Sequence, residues 1–193
     1  MSHRITSLLA VSALVLAACG GESSSSDSSA PASDALTIAA SFYPLSEIVE
    51  TVTNGLSVKI VNLTPPGVGA HDHELTANQL DDLTTVDAVF YLGGGLQPSV
   101  EKAVAQLDSA IKVTDLADYA TTIDAAKEEE EGHSDDDHDH EAHGDTDPHV
   151  WLDPANMVSM TQAVVTVLTA LSPDSKTTLD TNATTYIAEL EQV

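Results

Sequence analysis

The sequence predicts an α/β fold in which a four-stranded parallel sheet is flanked by helices. Short β-rich runs alternate with helical patterns four times between residues 36 and 113, and this alternation is typical of βαβ units with right-handed crossovers. The run at residues 88–92 is continuously apolar, as expected of a strand that is buried on both faces of a parallel sheet. Hydrophobic residues make up 42% of the chain and aromatic residues only 4%, which suits a core of Ala, Val and Leu side chains.

The individual strands and helices follow from the spacing of apolar residues and from the positions of Pro and Gly. The first helix begins near Pro44 and ends at Gly55, and Thr76 is the N-cap residue of a short second helix. A third helix covers residues 98–107. The predicted strands occupy residues 36–42, 58–63, 88–92 and 111–113.

Beyond the fourth strand, a long loop runs from Asp115 to Pro148, and two helices follow. Apolar residues at helical spacing predict one helix over residues 156–171, and Ser172-Pro173 is an N-cap and N1 pair that starts the next. That last helix contains no Gly, Pro or basic last turn that would stop it before Val193. We therefore expect the sequence to be a fragment that stops inside a helix.

The charge balance excludes some classes of partner. Lys and Arg together number 6 and Asp and Glu number 31, which gives a formal net charge of −25. Nucleic acid and anionic membrane surfaces repel such a chain, whereas cations are attracted to it. We therefore expect no nucleic-acid partner.

The N-terminal residues predict export and attachment to a membrane. The apolar run at residues 8–18 is too short to span a bilayer but has the length of a signal-peptide core. Leu-Ala-Ala-Cys, ending at Cys19, resembles a bacterial lipobox, which implies cleavage before this only cysteine and lipid on it. The alternative is an ordinary secretory signal followed by a free thiol. We expect a signal peptide at residues 1–18 and a lipid-anchored, Ser-rich tether at residues 19–35, either at the outer face of the bacterial cytoplasmic membrane or in the periplasm.

An acidic, histidine-rich segment occupies residues 128–147. It has no apolar periodicity, so we expect a mobile, disordered loop. Mixed imidazole and carboxylate side chains attract metal ions, and a merely solvated charge run is the alternative. The histidines that would capture metal there are His133, His138, His140 and His143.

A second set of candidates lies in two loops that follow strands. Because ligand sites of parallel sheets lie beyond the carboxyl ends of the strands, His71 and His149 are expected to meet there. His73 and Glu74 lie beside His71 and are further candidate ligands. For each histidine the alternative is a solvated or hydrogen-bonded side chain. Glu74 and Asp153 are candidates to orient the histidine rings, or are acids at helix N-termini.

Other chemistries have little support in the sequence. The glycines at residues 93–95 lack the spacing of a phosphate-binding loop and indicate a tight turn. No serine lies in a nucleophile elbow, and no HExxH motif is present. We therefore predict a binding protein and not an enzyme.

Three segments resemble the zinc/manganese ABC-transporter substrate-binding lipoproteins. Residues 63–76 (LTPPGVGAHDHELT) are similar to the first ligand loop of that family. Residues 87–96 (DAVFYLGGGL) are similar to its strand-and-glycine segment, and residues 147–154 (DPHVWLDP) match its second ligand segment closely. The acidic, histidine-rich insertion before that segment is typical of the zinc-type members.

The resemblance implies specific roles for single residues. The first histidine ligand of the family falls on His71 and the second on His149, while His73 is either an extra ligand or none. Ala70 and Leu75 stand where the family usually has proline, so the loop is less constrained here.

The resemblance also implies an architecture of two α/β lobes joined by a long helix. Residues 36–172 would form the N-terminal metal-binding lobe, and residues 173–193 would begin the inter-lobe helix. The third histidine and the final carboxylate of the family belong to a second lobe, which we expect this chain to lack.

These implications lead to a predicted function. The protein is expected to capture Zn²⁺ outside the cytoplasm as a monomer and to deliver it to the membrane subunits of an ABC permease. The alternatives are an Mn²⁺-binding member of the family, a metal-buffering lipoprotein and, from a different class, a zinc hydrolase. The ring nitrogens of His71 and His149 should lie about 3–4 Å apart if they share one ion.

Overall fold

Four parallel strands form the sheet, in the order β2-β1-β3-β4. The computed structural model describes residues 35–122 and 147–193. This architecture confirms the predicted fold class. The strands are β1 (Leu36–Ala40), β2 (Val58–Asn62), β3 (Ala88–Tyr91) and β4 (Lys112–Asp115).

Five α-helices accompany the sheet in the described ranges, together with three short 3₁₀ turns. The 3₁₀ turns cover Leu116–Tyr119, Val150–Leu152 and Pro173–Ser175. The helices are α1 (Tyr43–Val52), α2 (Ala77–Leu83), α3 (Pro98–Val104), α4 (Pro154–Leu171) and α5 (Lys176–Leu190).

The sheet is covered on both faces. Alternate residues of a strand point to opposite faces, and Ile38 and Phe90 pack with α1, α4 and α5 while Ala39 and Val89 pack with α2 and α3. The α4 helix is apolar and long enough to cross a membrane by length and composition. Its inward side chains, including Met160, are buried in the core of this lobe.

Some element boundaries differ from the predicted ones. The first strand ends at Ala40, because the extended residue Phe42 already serves as the N-cap of α1. The fourth strand is shifted toward its C-terminal end, because Tyr91 of β3 pairs with Asp115. Apolar periodicity could not show this pairing, since Asp115 is polar.

The last two helices also begin differently from the prediction. Asp153 caps α4 by accepting a hydrogen bond from the Ala155 backbone N–H at 2.8 Å, so this helix begins two residues earlier than predicted. A 3₁₀ turn follows Pro173 before α5 begins at Lys176, and α5 ends at Leu190.

Candidate metal centre

The two predicted histidines meet beyond the carboxyl ends of the strands. His71 lies in the loop between β2 and α2, and His149 lies between β4 and α4. The Nε2 atoms of the two rings are 3.3 Å apart, and the rings are tilted by 59°. The expected convergence is therefore observed, although the two residues follow strands at opposite edges of the sheet.

This distance has a chemical meaning. Two nitrogen ligands at about 2.0–2.1 Å from one tetrahedral ion lie about 3.3–3.4 Å apart. The His71–His149 separation of 3.3 Å matches this value and is also within reach of an N–H···N hydrogen bond. The rings thus already have the spacing of two ligands on one ion.

Asp147 sets the orientation of the His149 ring. Its Oδ1 atom accepts hydrogen bonds from the His149 backbone N–H at 2.9 Å and from ring Nδ1 at 2.6 Å. Because a neutral imidazole carries one proton, placing it on Nδ1 leaves the lone pair of Nε2 available to a cation. The same two hydrogen bonds lower the pKa of the Asp147 carboxyl from its ordinary value.

Aromatic packing supports the other side of His149. The Trp151 ring lies 5.2 Å from the His149 ring and meets Phe42 edge-on at 4.8 Å, centroid to centroid. Phe42, the N-cap residue of α1, is buried. The His149 ring is therefore supported from the core of the sheet, while 42% of its side chain remains exposed.

The loop that carries His71 is tied to neighbouring segments at both ends. At its start, Thr64 Oγ1 donates to Ser41 O at 2.7 Å and accepts from Gln97 Nε2 at 2.9 Å. At its end, the Leu75 N–H donates to Ser99 Oγ at 2.9 Å. The two contacts of Thr64 join the loops that follow β1, β2 and β3, and the third contact joins the His71 loop to the first turn of α3.

Thr76 ends the same loop with a capping box. Its hydroxyl accepts from the Gln79 N–H, and the Gln79 carboxamide oxygen accepts from the Thr76 N–H. The predicted N-cap is confirmed.

His73 and Glu74 occupy different surroundings from His71. The His73 Nε2 atom lies 3.5 Å from Gln79 Nε2 at the start of α2, and Glu74 is exposed. Within residues 35–122 and 147–193, no three His, Cys, Asp or Glu side chains are grouped so that they could hold a metal ion. Neither residue is therefore brought to the His71–His149 pair as a third ligand.

The residue that orients the ring was not predicted. Asp153, one of the two acids suggested for this role, caps α4, which is the alternative given for it. The orienting acid is Asp147, which the sequence interpretation had assigned to the mobile loop. The DPH spacing was its only signal, since an acid two residues before a histidine can reach both its N–H and its ring.

Some predicted functional residues lie outside the described residues. They are Cys19, His133, His138, His140 and His143.

The three glycines after β3 form a turn, as expected. Gly94 and Gly95 have positive φ values of 77° and 85°, which residues other than glycine rarely adopt. The Gly93 N–H donates to Asp115 Oδ1 at 2.9 Å. A Cβ atom on Gly93 would collide with the Asp115 carboxylate, so this glycine allows the carboxylate to approach the backbone.

Comparison with known proteins places this geometry in a family. The zinc-binding lipoprotein AdcA of Streptococcus pneumoniae is 31% identical over 194 aligned positions, which cover 98% of this chain and 36% of AdcA. The manganese ABC transporter substrate-binding lipoprotein scaA of Streptococcus gordonii is 27% identical over 188 positions, which cover 97% of this chain and 57% of that protein. A crystal structure of ZnuA superimposes with a TM-score of 0.66 at 27% identity, over 82% of this chain and 56% of that one. The chain thus spans between about a third and somewhat over half of the length of these relatives. The family model described as ZnuA, zinc-uptake complex component A periplasmic, matches residues 38–193, and the chain belongs to this family.

Proposed function

We propose that this chain captures Zn²⁺ as cargo between His71 and His149. The observation that carries the proposal is the 3.3 Å separation of the two Nε2 atoms, combined with the contact that places the His149 proton on Nδ1. The first contact gives the two ring nitrogens the spacing of ligands on one ion, and the second leaves the Nε2 lone pair of His149 available to that ion. Neutral imidazole is a strong ligand for zinc.

Zinc is favoured over manganese by the donor atoms. Imidazole nitrogen suits zinc, whereas manganese is better served by carboxylate, carbonyl and water oxygen. The AdcA relative is named as zinc-binding, which supports this choice. The scaA relative is named for manganese, so Mn²⁺ is the alternative cargo, and competition between the two ions for the wild-type chain decides between them.

Two histidines do not complete a zinc shell. A tetrahedral ion takes four ligands, and the described residues bring two imidazoles together. Water or further protein ligands must supply the remaining positions.

Delivery to an ABC permease and attachment through Cys19 are part of the same proposal. The scaA relative is named as the substrate-binding lipoprotein of an ABC transporter, and a lipid on Cys19 would hold the protein beside such a transporter. The histidines at residues 133–143 would raise the local concentration of zinc near the His71–His149 pair. No catalytic step is proposed.

The test is a zinc titration of the wild-type chain and of three single variants. Trp151 is the only tryptophan, and its ring lies 5.2 Å from that of His149, so its fluorescence reports on this site and not on distant ions. We expect His71→Ala and His149→Ala each to weaken the zinc-dependent fluorescence change at least about 10-fold, since each removes one ligand.

His73→Ala is the matched control, because it removes the same type of side chain two positions from His71. It should leave the fluorescence titration unchanged within about threefold. If His71→Ala and His149→Ala titrate like the wild type, zinc does not bind between these residues and the proposal is wrong.

A further inference from the structure

Asn156 is a buried amide close to the candidate metal centre. It lies in the first turn of α4 and only 4% of its surface is exposed. Its Oδ1 atom accepts from the Thr121 N–H at 2.7 Å, and its Nδ2 atom donates to Thr121 O and to Val150 O, both at 3.0 Å. Both amide hydrogens and one oxygen lone pair are therefore used.

The orientation of this amide follows from its partners. A rotation by 180° would place Oδ1 against two carbonyl oxygens and Nδ2 against an N–H donor. Only the observed orientation pairs every donor with an acceptor. Asn156 thus bonds to both the N–H and the carbonyl of Thr121, as the backbone of a neighbouring strand would. A buried side chain with this many satisfied contacts holds its partners in one arrangement.

These partners lie near the two ends of the segment that connects β4 to α4. Thr121 lies 35 positions before Asn156, shortly after β4, whereas Val150 directly follows His149. Asn156 therefore links Thr121, which follows β4, to Val150, which follows His149.

The backbone of His149 is restrained on both sides along the chain. Asp147 accepts from the His149 N–H and from its ring Nδ1, and Trp151 packs against the ring. On the C-terminal side, Val150 is buried in the core, and its carbonyl accepts from Asn156 Nδ2 and from the Asp153 N–H. The contact from Asn156 also links this carbonyl to Thr121.

We propose that Asn156 is a positioning residue of the metal centre, which ties the carbonyl of Val150, the residue after His149, to the Thr121 backbone and so keeps the His149 ring within ligand distance of His71. The inference rests on the proposed function, because it gives His149 the role of a ligand. Asn156 itself touches neither the ion nor the ring.

The test compares Asn156→Asp with Asn182→Asp. Asn156→Asp keeps the shape of the side chain but replaces the donor by an oxygen that faces Thr121 O and Val150 O. Asn182 is the matched control, since its Nδ2 atom also donates to two backbone carbonyls, Val52 O at 3.0 Å and Asn54 O at 2.9 Å. Those carbonyls belong to the last residue of α1 and to a residue just beyond it, at the end of the sheet opposite to the histidines.

The measurements are the thermal midpoint of each variant and its zinc titration, followed by Trp151 fluorescence at a temperature where all variants are folded. Both aspartate variants should have a lower thermal midpoint. Only Asn156→Asp should also weaken zinc binding, by about 10- to 100-fold, the range known for residues that orient metal ligands. A merely structural role would lower the midpoint and leave the affinity unchanged.

Two further variants keep the inference testable. Asn156→Ala removes the three hydrogen bonds without adding a charge, and it replaces Asn156→Asp if that variant does not fold. It should also weaken zinc binding. His149→Ala identifies the source of a failure. If His149→Ala weakens zinc binding and the folded Asn156 variants do not, the positioning role is wrong. If His149→Ala has no effect, the proposed function and this inference are both wrong.

Discussion

Asp147 Oδ1 accepts two hydrogen bonds from His149, one from the backbone N–H at 2.9 Å and one from ring Nδ1 at 2.6 Å. One carboxylate oxygen thereby fixes both the backbone and the proton position of the same histidine. Contacts of this kind orient metal ligands and raise their basicity. The relationship leads to the first two predictions.

Replacing Asp147 should weaken zinc binding without unfolding the protein. Asp147→Ala removes both hydrogen bonds to His149, so the ring loses its fixed proton position, and we expect zinc affinity to fall about 10- to 100-fold. Trp151 fluorescence during a zinc titration measures this loss. Asp153→Asn is the control, because it removes a nearby charge and keeps a side chain that can cap α4. An equal loss in both variants would show that charge alone, and not the contact with His149, is responsible.

The contact between Asp147 and His149 should also give stability a pH dependence. Hydrogen bonds from His149 lower the pKa of the Asp147 carboxyl from its ordinary value of 3.8. A carboxyl with a lowered pKa adds stability above its ordinary value and loses that contribution as the pH falls through the folded-state value. In chemical denaturation without metal, the stability difference between wild type and Asp147→Ala should thus shrink as the pH falls below about 4. A difference that stays constant down to that range would contradict the assignment.

The sequence predicts the sheet and the pair of histidines better than it predicts what holds them. Strands that alternate with helices identify the parallel sheet, and the carboxyl-end rule then brings His71 and His149 to one end. Asn156 and Thr64 could not be found in this way, because each bonds to the backbone of a residue distant in sequence, Thr121 and Ser41 respectively. Asp147 was obscured by the acidic residues before it, because composition alone does not distinguish it from them.

Thr64, which anchors the start of the His71 loop, should contribute measurably to the stability of the protein. Thr64→Val keeps the shape of the side chain but removes the hydroxyl that bridges Ser41 O and Gln97 Nε2. Both partners belong to buried residues, so we expect a loss of about 1–3 kcal/mol in the free energy of unfolding, as for buried polar groups left without a partner. Urea denaturation measures it. Thr85→Val is the control, because that exposed hydroxyl bonds only to Asp82 O within the same turn, and it should change stability by less than about 0.5 kcal/mol.

Gly93 should tolerate no side chain. Gly93→Ala places a methyl group against the Asp115 carboxylate, which the Gly93 and Ala117 N–H groups hold in place. We expect a destabilisation of about 1–3 kcal/mol from this overlap. Gly69→Ala is the matched control in a neighbouring loop, since its added Cβ would meet only Asp72 at an ordinary distance of 3.6 Å. A Gly93→Ala chain as stable as the Gly69→Ala chain in urea would show that Asp115 can move away at little cost.

Two deletions that differ by one residue separate the acidic segment from the metal centre. Removing residues 128–146 should leave the fold and the His71–His149 pair intact, because Asn156 holds Thr121 and Val150 without them. The zinc affinity reported by Trp151 should stay within about threefold of the wild-type value, while calorimetry should show fewer weakly bound ions, since the segment contains His133, His138, His140 and His143. Removing residues 128–147 also takes away Asp147, and zinc affinity should then fall by about 10- to 100-fold. If the shorter deletion already abolishes the fluorescence change, the zinc site depends on the acidic segment itself, and the pair of histidines is not sufficient to hold the ion.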